Sequence, residues 1–423
     1  MATGGLNVFR ENAVYVGMGK QSAWGTGVAP TWFNLWLDGS DANPERSVKS
    51  ERGGDSSPFE LLSWTASQHQ MIKIVEYAFP QLAGYALQAL LCTGSDSLGA
   101  ATANTTLSSS ITKGASSLSV AASIGTVGTL AVAVSAAYGN AAYEVVTVDL
   151  TTKAGVGPFT YTLASSGTFK NAHTNGDTVV SAATHTLTRK ASSYDPYSIE
   201  IAWNTDGVGS LQRVYRYVDA VCTDVKISHA TGNLLQIEHT WYAANVIKQA
   251  ALTSTVYEQS KPFRFDQASG AWKILSATTG NAATFKRFDV SLKNSTSPDD
   301  CQTEGITPNY FIPGNIDVTG SFDVLFNSWQ EYEACYFGAN TGAGATDSAT
   351  IGYESLASTW TADGVNSLAL SLPNIYYTAA KLSPKRSAKA LTQPVAYKAI
   401  QSGPAGAVTP FTATLTNAYS TAY

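Results

Sequence analysis

Apolar and polar positions alternate along most of this chain. In Tyr197–Trp203 the side chains of Tyr197, Ile199, Ile201 and Trp203 fall on one side, with Ser198, Glu200 and Ala202 on the other. That is the period of a strand with one buried face. Leu211–Val218 and Ala220–His229 continue in the same style, Ala230–Asn233 reads as a turn, and Leu234–Tyr242 reads as its hairpin partner. Thr284–Leu292, Ile316–Phe326 and Ser367–Tyr377, rich in Thr, Val, Tyr and Ile, are further predicted strands.

Two segments switch to helical spacing. Gln81–Cys92 follows Pro80 and sets Leu82, Tyr85, Ala86, Ala89 and Leu90 on one stripe before Gly94. Asn327–Phe337 opens on a candidate cap, Asn327, with Gln330 three residues later. It carries Trp329, Tyr332 and Tyr336 on one stripe and stops at Gly338. Each helix is expected to lay its apolar stripe on a sheet.

Between about residues 104 and 183 the composition shifts to Ser, Thr, Ala, Gly and Val, with very few charges. Short strands are predicted at Ser117–Ala121, Thr129–Val134, Glu144–Leu150, Thr160–Ala164 and Thr178–Val180, with a turn at His173–Asp177. This predicts a small all-β domain over 104–183, Ig-like or a small barrel, set into a larger discontinuous domain made of residues 1–103 and 184–423. Asp38–Pro58 is polar and holds a large share of the charge, so 38–58 reads as a long irregular loop suited to assembly contacts. Ala339–Thr350 reads as a surface loop. The fold class is mainly β, with two short helices.

Composition adds a functional constraint. Of 423 residues, 44% are hydrophobic, enough for a sizeable core, but only 13% are charged. Globular domains usually carry about 25%, and a free monomer needs charge to keep its surface from associating. Such a chain is expected to hide much of its surface against neighbours; a secreted β-sandwich with a Ser/Thr/Gly-rich face is the alternative. The net charge of -5 argues against a nucleic-acid binder that displaces counterions with a basic stripe. It leaves room for a protein that DNA passes without sticking. The four cysteines Cys92, Cys222, Cys301 and Cys335 are scattered without a CxxC pair, which fits a reducing cytoplasm. The opening residues predict no secretion leader, and no apolar run reaches the roughly 18–20 residues of a membrane span.

Sites for chemistry do not assemble. His69, His173, His185, His229 and His239 form no HExxH motif and no helical ligand pair. Gly17-Met-Gly19 and Gly25-Thr-Gly27 look like pieces of a phosphate loop, but no βαβ unit follows them. Asp38, Asp41 and Glu45 lack the spacing of a calcium loop. Asp299-Asp300 with Glu304 would suit a glycosidase pair, but adjacent aspartates read more simply as a turn or a surface ion pair. No catalytic, cofactor-binding or metal residue is expected; the chain reads as a structural protein rather than an enzyme.

Val16-Gly-Met-Gly-Lys20-Gln-Ser-Ala-Trp24-Gly25-Thr26-Gly-Val28-Ala29-Pro30-Thr31 resembles the opening signature of the siphophage-type major tail tube proteins of bacteriophages. The residues that carry the resemblance are Gly17, Gly19, Lys20, Gly25, Thr26 and Pro30. Ile72–Gly94, an extended segment leading into a helix, is similar to the family's next element, and Ser367–Tyr377 and Ala396–Ile400 are similar to its closing strands. The inserted segment is similar to a small β module found on tail and decoration proteins. The resemblance implies a virion subunit, made in the host bacterial cytoplasm, that forms stacked hexameric rings. Each subunit would give four strands to a continuous barrel conducting DNA. About 24 strands spaced ~4.8 Å and tilted ~45° make a wall roughly 50 Å across, wide enough inside for duplex DNA. The partners implied are copies of the chain, the terminator, the tape measure and the distal tail protein. Leu211–His229 and Leu234–Tyr242 are the candidate wall strands. Glu45, Arg46, Lys49, Glu51 and Arg52 are the candidate contacts between subunits or rings. A terminator or baseplate ring subunit, or a surface adhesin using Trp32, Phe33 and Trp36 on glycans, are the alternatives.

Overall fold

A computed structural model describes residues 14–30, 33–34, 37–51, 62–80, 82–91, 97–99, 104–133, 144–189, 193–203, 213–251, 261–264, 268–276, 285–298, 301, 306–326, 329–338, 343–344, 346, 353–382, 391–401 and 408–418. Its first strands are β1 (Val14–Lys20), β2 (Phe33–Asn34), β3 (Leu37–Glu51) and β4 (Leu62–Tyr77), followed by helix α1 (Ala83–Leu91) and β5 (Ser97–Gly99). Six short strands follow: β6 (Asn104–Thr106), β7 (Ser117–Val120), β8 (Thr129–Ala133), β9 (Glu144–Ala154), β10 (Phe159–Leu163) and β11 (Thr178–Val180). The chain continues with β12 (Ala183–Thr188), β13 (Tyr197–Trp203), β14 (Arg213–Ala230), β15 (Gln236–Gln249), β16 (Ala268–Ser276), β17 (Phe285–Asn294) and β18 (Ile316–Leu325). Helix α2 (Gln330–Phe337), β19 (Glu354–Thr361), β20 (Ser367–Ala380), β21 (Thr392–Ala399) and β22 (Thr412–Asn417) complete it.

The protein is mainly β, and its larger sheet has 16 strands. A continuous path runs β2-β1-β13-β14-β17-β18-β21-β20-β22-β12-β5, with β15, β4 and β3 branching from β14, and β19 and β16 branching from β20. The fork is possible because β14 is bent. Its first half pairs with β13 and its second half with β17, while β15 follows its other edge throughout. At the bend Asp219 takes φ 58 and the register slips between Cys222 and Asp224, a bulge that turns the strand.

The sheet curls round a single core. Residues of β4, β13–β15, β17–β22 and α1 belong to one buried cluster. All nine residues of α1 are buried, so the helix is enclosed rather than laid on a sheet by one stripe. Its Gln88 is satisfied internally, accepting the Tyr197 hydroxyl at 3.0 Å. Helix α2 also departs from expectation. Trp329 and Tyr336, each 53% exposed, face outward, while Glu331 is buried. No side chain caps α2, and Asn327 lies outside the described residues.

The described part of the expected loop, residues 38–51, is not a loop. Leu37–Glu51 is a strand of 15 residues paired along its length with β4; 52–58 lie outside the described residues. Pro44 sits within it opposite Gln70, in a strand that is at the sheet edge among the described residues, where proline is tolerated.

The strands from β6 to β11 pair only with one another among the described residues. Their sheet, β6-β11-β8-β9-β10-β7, closes on itself: Leu107 bridges Val120, Ser108 N donates to Ser119 O, and Ala121 N donates to Thr106 O. The result is a small six-stranded barrel around its own cluster, including Leu118, Val132, Tyr161, Phe169 and Val179. The chain enters and leaves beside an antiparallel pair, β5 with β12. Gly364, in the β19–β20 turn of the larger sheet, lies against Thr129 of the barrel.

Candidate assembly surfaces

Four long strands lie side by side, β3 with 15 residues, β4 with 16, β15 with 14 and β14 with 18, adjacent in that order; β20, with 14, is as long as β15 but lies elsewhere in the sheet. β4 pairs with β15 from Gln70 to Tyr77 and then leaves it. Beyond the fork, Glu45–Glu51 and Leu62–His69 continue as a two-stranded arm. Three stretches of backbone edge have no strand beside them among the described residues: the outer edge of β3, β4 from Leu62 to Ser67, and β15 from Asn245 to Gln249. Unpaired edges this long invite another chain to add a strand.

Apolar side chains surround the fork. Phe311, Cys301, Tyr194, Val221 and Ala244 form a small buried cluster over the β14 bend, with Trp24 and Tyr242 against it. Gln68 N donates to Ile306 O, tying this loop to the base of the arm. Ile306, Tyr310 and Ile312 of the loop, Val246 and Ile247 of β15, and Val48 of the arm are all exposed.

The outward face of the curved sheet orders its charges in rows. One row across five strands reads Lys73, Thr240, Asp224, Lys293, Asp317, with Asp41 at the register position opposite Lys73. The adjacent row reads Val75, Glu238, Lys226, Ser291, Thr319, Lys398. Lys73 pairs with Glu238 and Lys398 with Asp317, each at 2.8 Å. Burial pushes the Asp224 carboxyl up, against the lowering pull of Lys293. Asp41, Asp224, Glu238, Asp289, Asp317 and Asp323 stand against Lys73, Lys226, Arg287, Lys293 and Lys398 among the described residues, so acids and bases nearly balance on this face. On its other side the same sheet is apolar, with Ile72, Ile74, Val225, Ile227, Ile237, Val290 and Leu292 buried.

The signature residues are structural. Gly17 and Gly19 lie in β1 opposite Glu200 and Ser198 of β13. Lys20 pairs with Asp195 at 2.9 Å. Gly25, at φ 78, donates its N–H to Asp219 at 2.7 Å, and Thr26 Oγ1 donates to Ala23 O. Pro30 is buried. Of these, Gly25 ties the segment directly to the β14 bend through Asp219. Of the predicted contact residues, Glu45, Arg46, Lys49 and Glu51 lie on the arm, while Arg52, Trp32 and Trp36 lie outside the described residues, as do Asp299, Asp300 and Glu304.

The histidines serve the interior. His239 accepts the Trp241 indole N–H on Nδ1 at 2.5 Å and faces Glu76 with Nε2 at 3.2 Å. His229 accepts the Trp360 indole at 3.2 Å. His173 lies between Glu144 and Asp177 in the small barrel, at 3.5 and 3.8 Å. Among the described residues no cluster of His, Cys, Asp and Glu is arranged for a metal, and no helix is long and apolar enough to cross a membrane. A cavity of about 430 Å³ between Leu91, Arg189, Leu292 and Phe411 is lined by no carboxylate, histidine or cysteine. Neither the protein-family models nor the curated proteins contain a match to this chain.

Proposed function

We propose that this chain is a structural subunit that polymerises with copies of itself into a tube, in the manner of the phage tail tube proteins its N-terminal segment resembles. The observation that carries the reading is the set of four long adjacent strands with unpaired edges at the outer strand and at the fork. A subunit built this way extends its sheet through a neighbour, and a ring of such subunits closes into a barrel without free edges. The exposed apolar residues around the fork and the low overall charge supply surface for those contacts.

In such a tube the nearly charge-balanced face of the long strands would line the lumen. Paired charges of alternating sign offer phosphate neither a basic stripe to bind nor a strong field to resist, so duplex DNA passes without being held. The closed barrel of 104–180 would ride on the outside, where it leaves the lumen open. The chain performs no catalysis in this role, needs no cofactor, and belongs to the virion tail.

Negative-stain microscopy of the purified protein tests the proposal. Tubes are expected; isolated rings would point to a terminator or baseplate component, and a monodisperse monomer at high concentration would overturn the reading. A variant in which the arm beyond Ser47 and Ser67 is replaced by a tight turn should stay folded and make no tubes.

A further inference from the structure

Helix α2 is seated the opposite way to an ordinary amphipathic helix. Its aromatic stripe packs on the outside, Trp329 edge-on to Tyr332 at 5.8 Å and Tyr332 tilted against Tyr336 at 4.8 Å between ring centroids. Its underside lies on β20 and carries Glu331, which is 8% exposed. A second carboxyl, Glu354 at the start of β19, lies close enough to feel the charge of Glu331, and its Oε2 is buried without a hydrogen-bond partner. No lysine or arginine pairs with either group among the described residues.

The groups facing this pair are all acidic or neutral. Helix α2 contributes Glu331 and Cys335, β19 contributes Glu354 and β20 contributes Tyr377, while Tyr376 on the other face of β20 lies opposite Lys398. Burial raises the Glu354 carboxyl to about 7, and the charge of Glu331 adds to the shift. Burial likewise raises Glu331 and the Cys335 thiol, and lifts the Tyr377 hydroxyl well above its ordinary range, with Glu354 and Glu331 adding to it.

We propose that α2 is a proton-controlled lid, seated on β20 while the Glu331–Glu354 pair keeps a proton and released when both carboxyls ionise. Two neighbouring carboxylates, without a cation, repel through a medium less polar than water. Release returns both to solvent and frees the aromatic stripe of α2 to repack. Between 4.5 and about 7 Glu354 keeps more of its proton in the seated form than in the released one, so the seat weakens as pH rises through that window, and the raised Glu331 acts in the same direction. Because Glu354 is partly exposed, screening reduces the effect to about tenfold in the opening equilibrium. The inference holds whether or not the chain polymerises.

Hydrogen exchange of the full-length protein reads this directly. Exchange of residues 330–337, corrected for the intrinsic pH dependence of amides, should quicken about tenfold between about pH 5.5 and about pH 8, while β18 keeps its protection. Glu354→Gln should hold α2 protected at both pH values, and Glu331→Gln should do the same if the first variant folds poorly. Wild-type protection of α2 that ignores pH, or a pH response retained in both variants, would sink the proposal.

Discussion

At the scale of single residues, the core is fixed by a few close approaches. Gly320 of β18 lies under the Tyr397 ring, and a Cβ there would collide with the Tyr397 hydroxyl and the Asp289 carbonyl. That same hydroxyl donates to Asp289 O at 3.0 Å. Gly320→Ala is expected to destabilise by about 1–3 kcal/mol in denaturant unfolding. Adding Tyr397→Phe should recover only part of the loss, because the carbonyl contact stays.

Titration gives a second check at this scale. Burial lowers the His229 imidazole to about 4, so the folded state binds fewer protons than the unfolded one between about 6.5 and about 4. Its contribution is therefore present near neutrality and lost as pH falls through that window, by about 1–2 kcal/mol after allowance for partial exposure. Glu354 acts in the opposite sense over much of the same range. Urea midpoints at low and neutral pH should show a flatter acid limb for His229→Gln and a steeper one for Glu354→Gln. Neither role was legible from spacing alone, since a histidine at an alternating position gives no sign of the distant Trp360 that meets it.

At the scale of elements, the bounds of Tyr197–Trp203 could be read to the residue from its alternation, but not its burial: Ser198, Glu200 and Ala202, expected to face away from the core, are covered as fully as Tyr197, Ile199 and Ile201. Its neighbour β14 could be placed but not joined. The bend at Asp219 looks like a break between two strands, and only the Gly25–Asp219 hydrogen bond explains how one strand crosses it. β3 could not be read at all. An edge strand in an arm has little buried face to impose alternation, so Gly39, Pro44 and the mixed charges of 45–51 disguise 15 residues of strand as loop. The stripe of α2 was found, but its direction was reversed. A helix whose aromatic side stays outside is governed by what lies beneath it, and Glu354 is remote in sequence.

At the scale of the whole molecule, two curved sheets have separate cores and a narrow connection. The small barrel closes through its own hydrogen bonds and shares no strand with the larger sheet. Removing residues 104–180 and joining β5 to β12 by a short turn should leave the larger sheet folded and the tubes intact in the microscope. Loss of tubes in a folded deletion variant would place the barrel within the assembly interface instead. Fold class and the presence of an insertion were visible in the composition shift. The closed form of the insertion was not, because closure rests on single bridges such as Leu107 to Val120.

The β5–β12 pair has a consequence for what the larger sheet can carry. Because entry and exit are held side by side by the pairing of Thr184 with Gly99 and Thr186 with Ser97, the body presents a socket of fixed width. Any closed domain with neighbouring ends fits it at little cost in loop entropy, since the body has already brought those ends together. The cargo can therefore change without the carrier being rebuilt, and an enzyme or an epitope grafted there would be displayed once per chain, repeated along the tube if the chain polymerises as proposed.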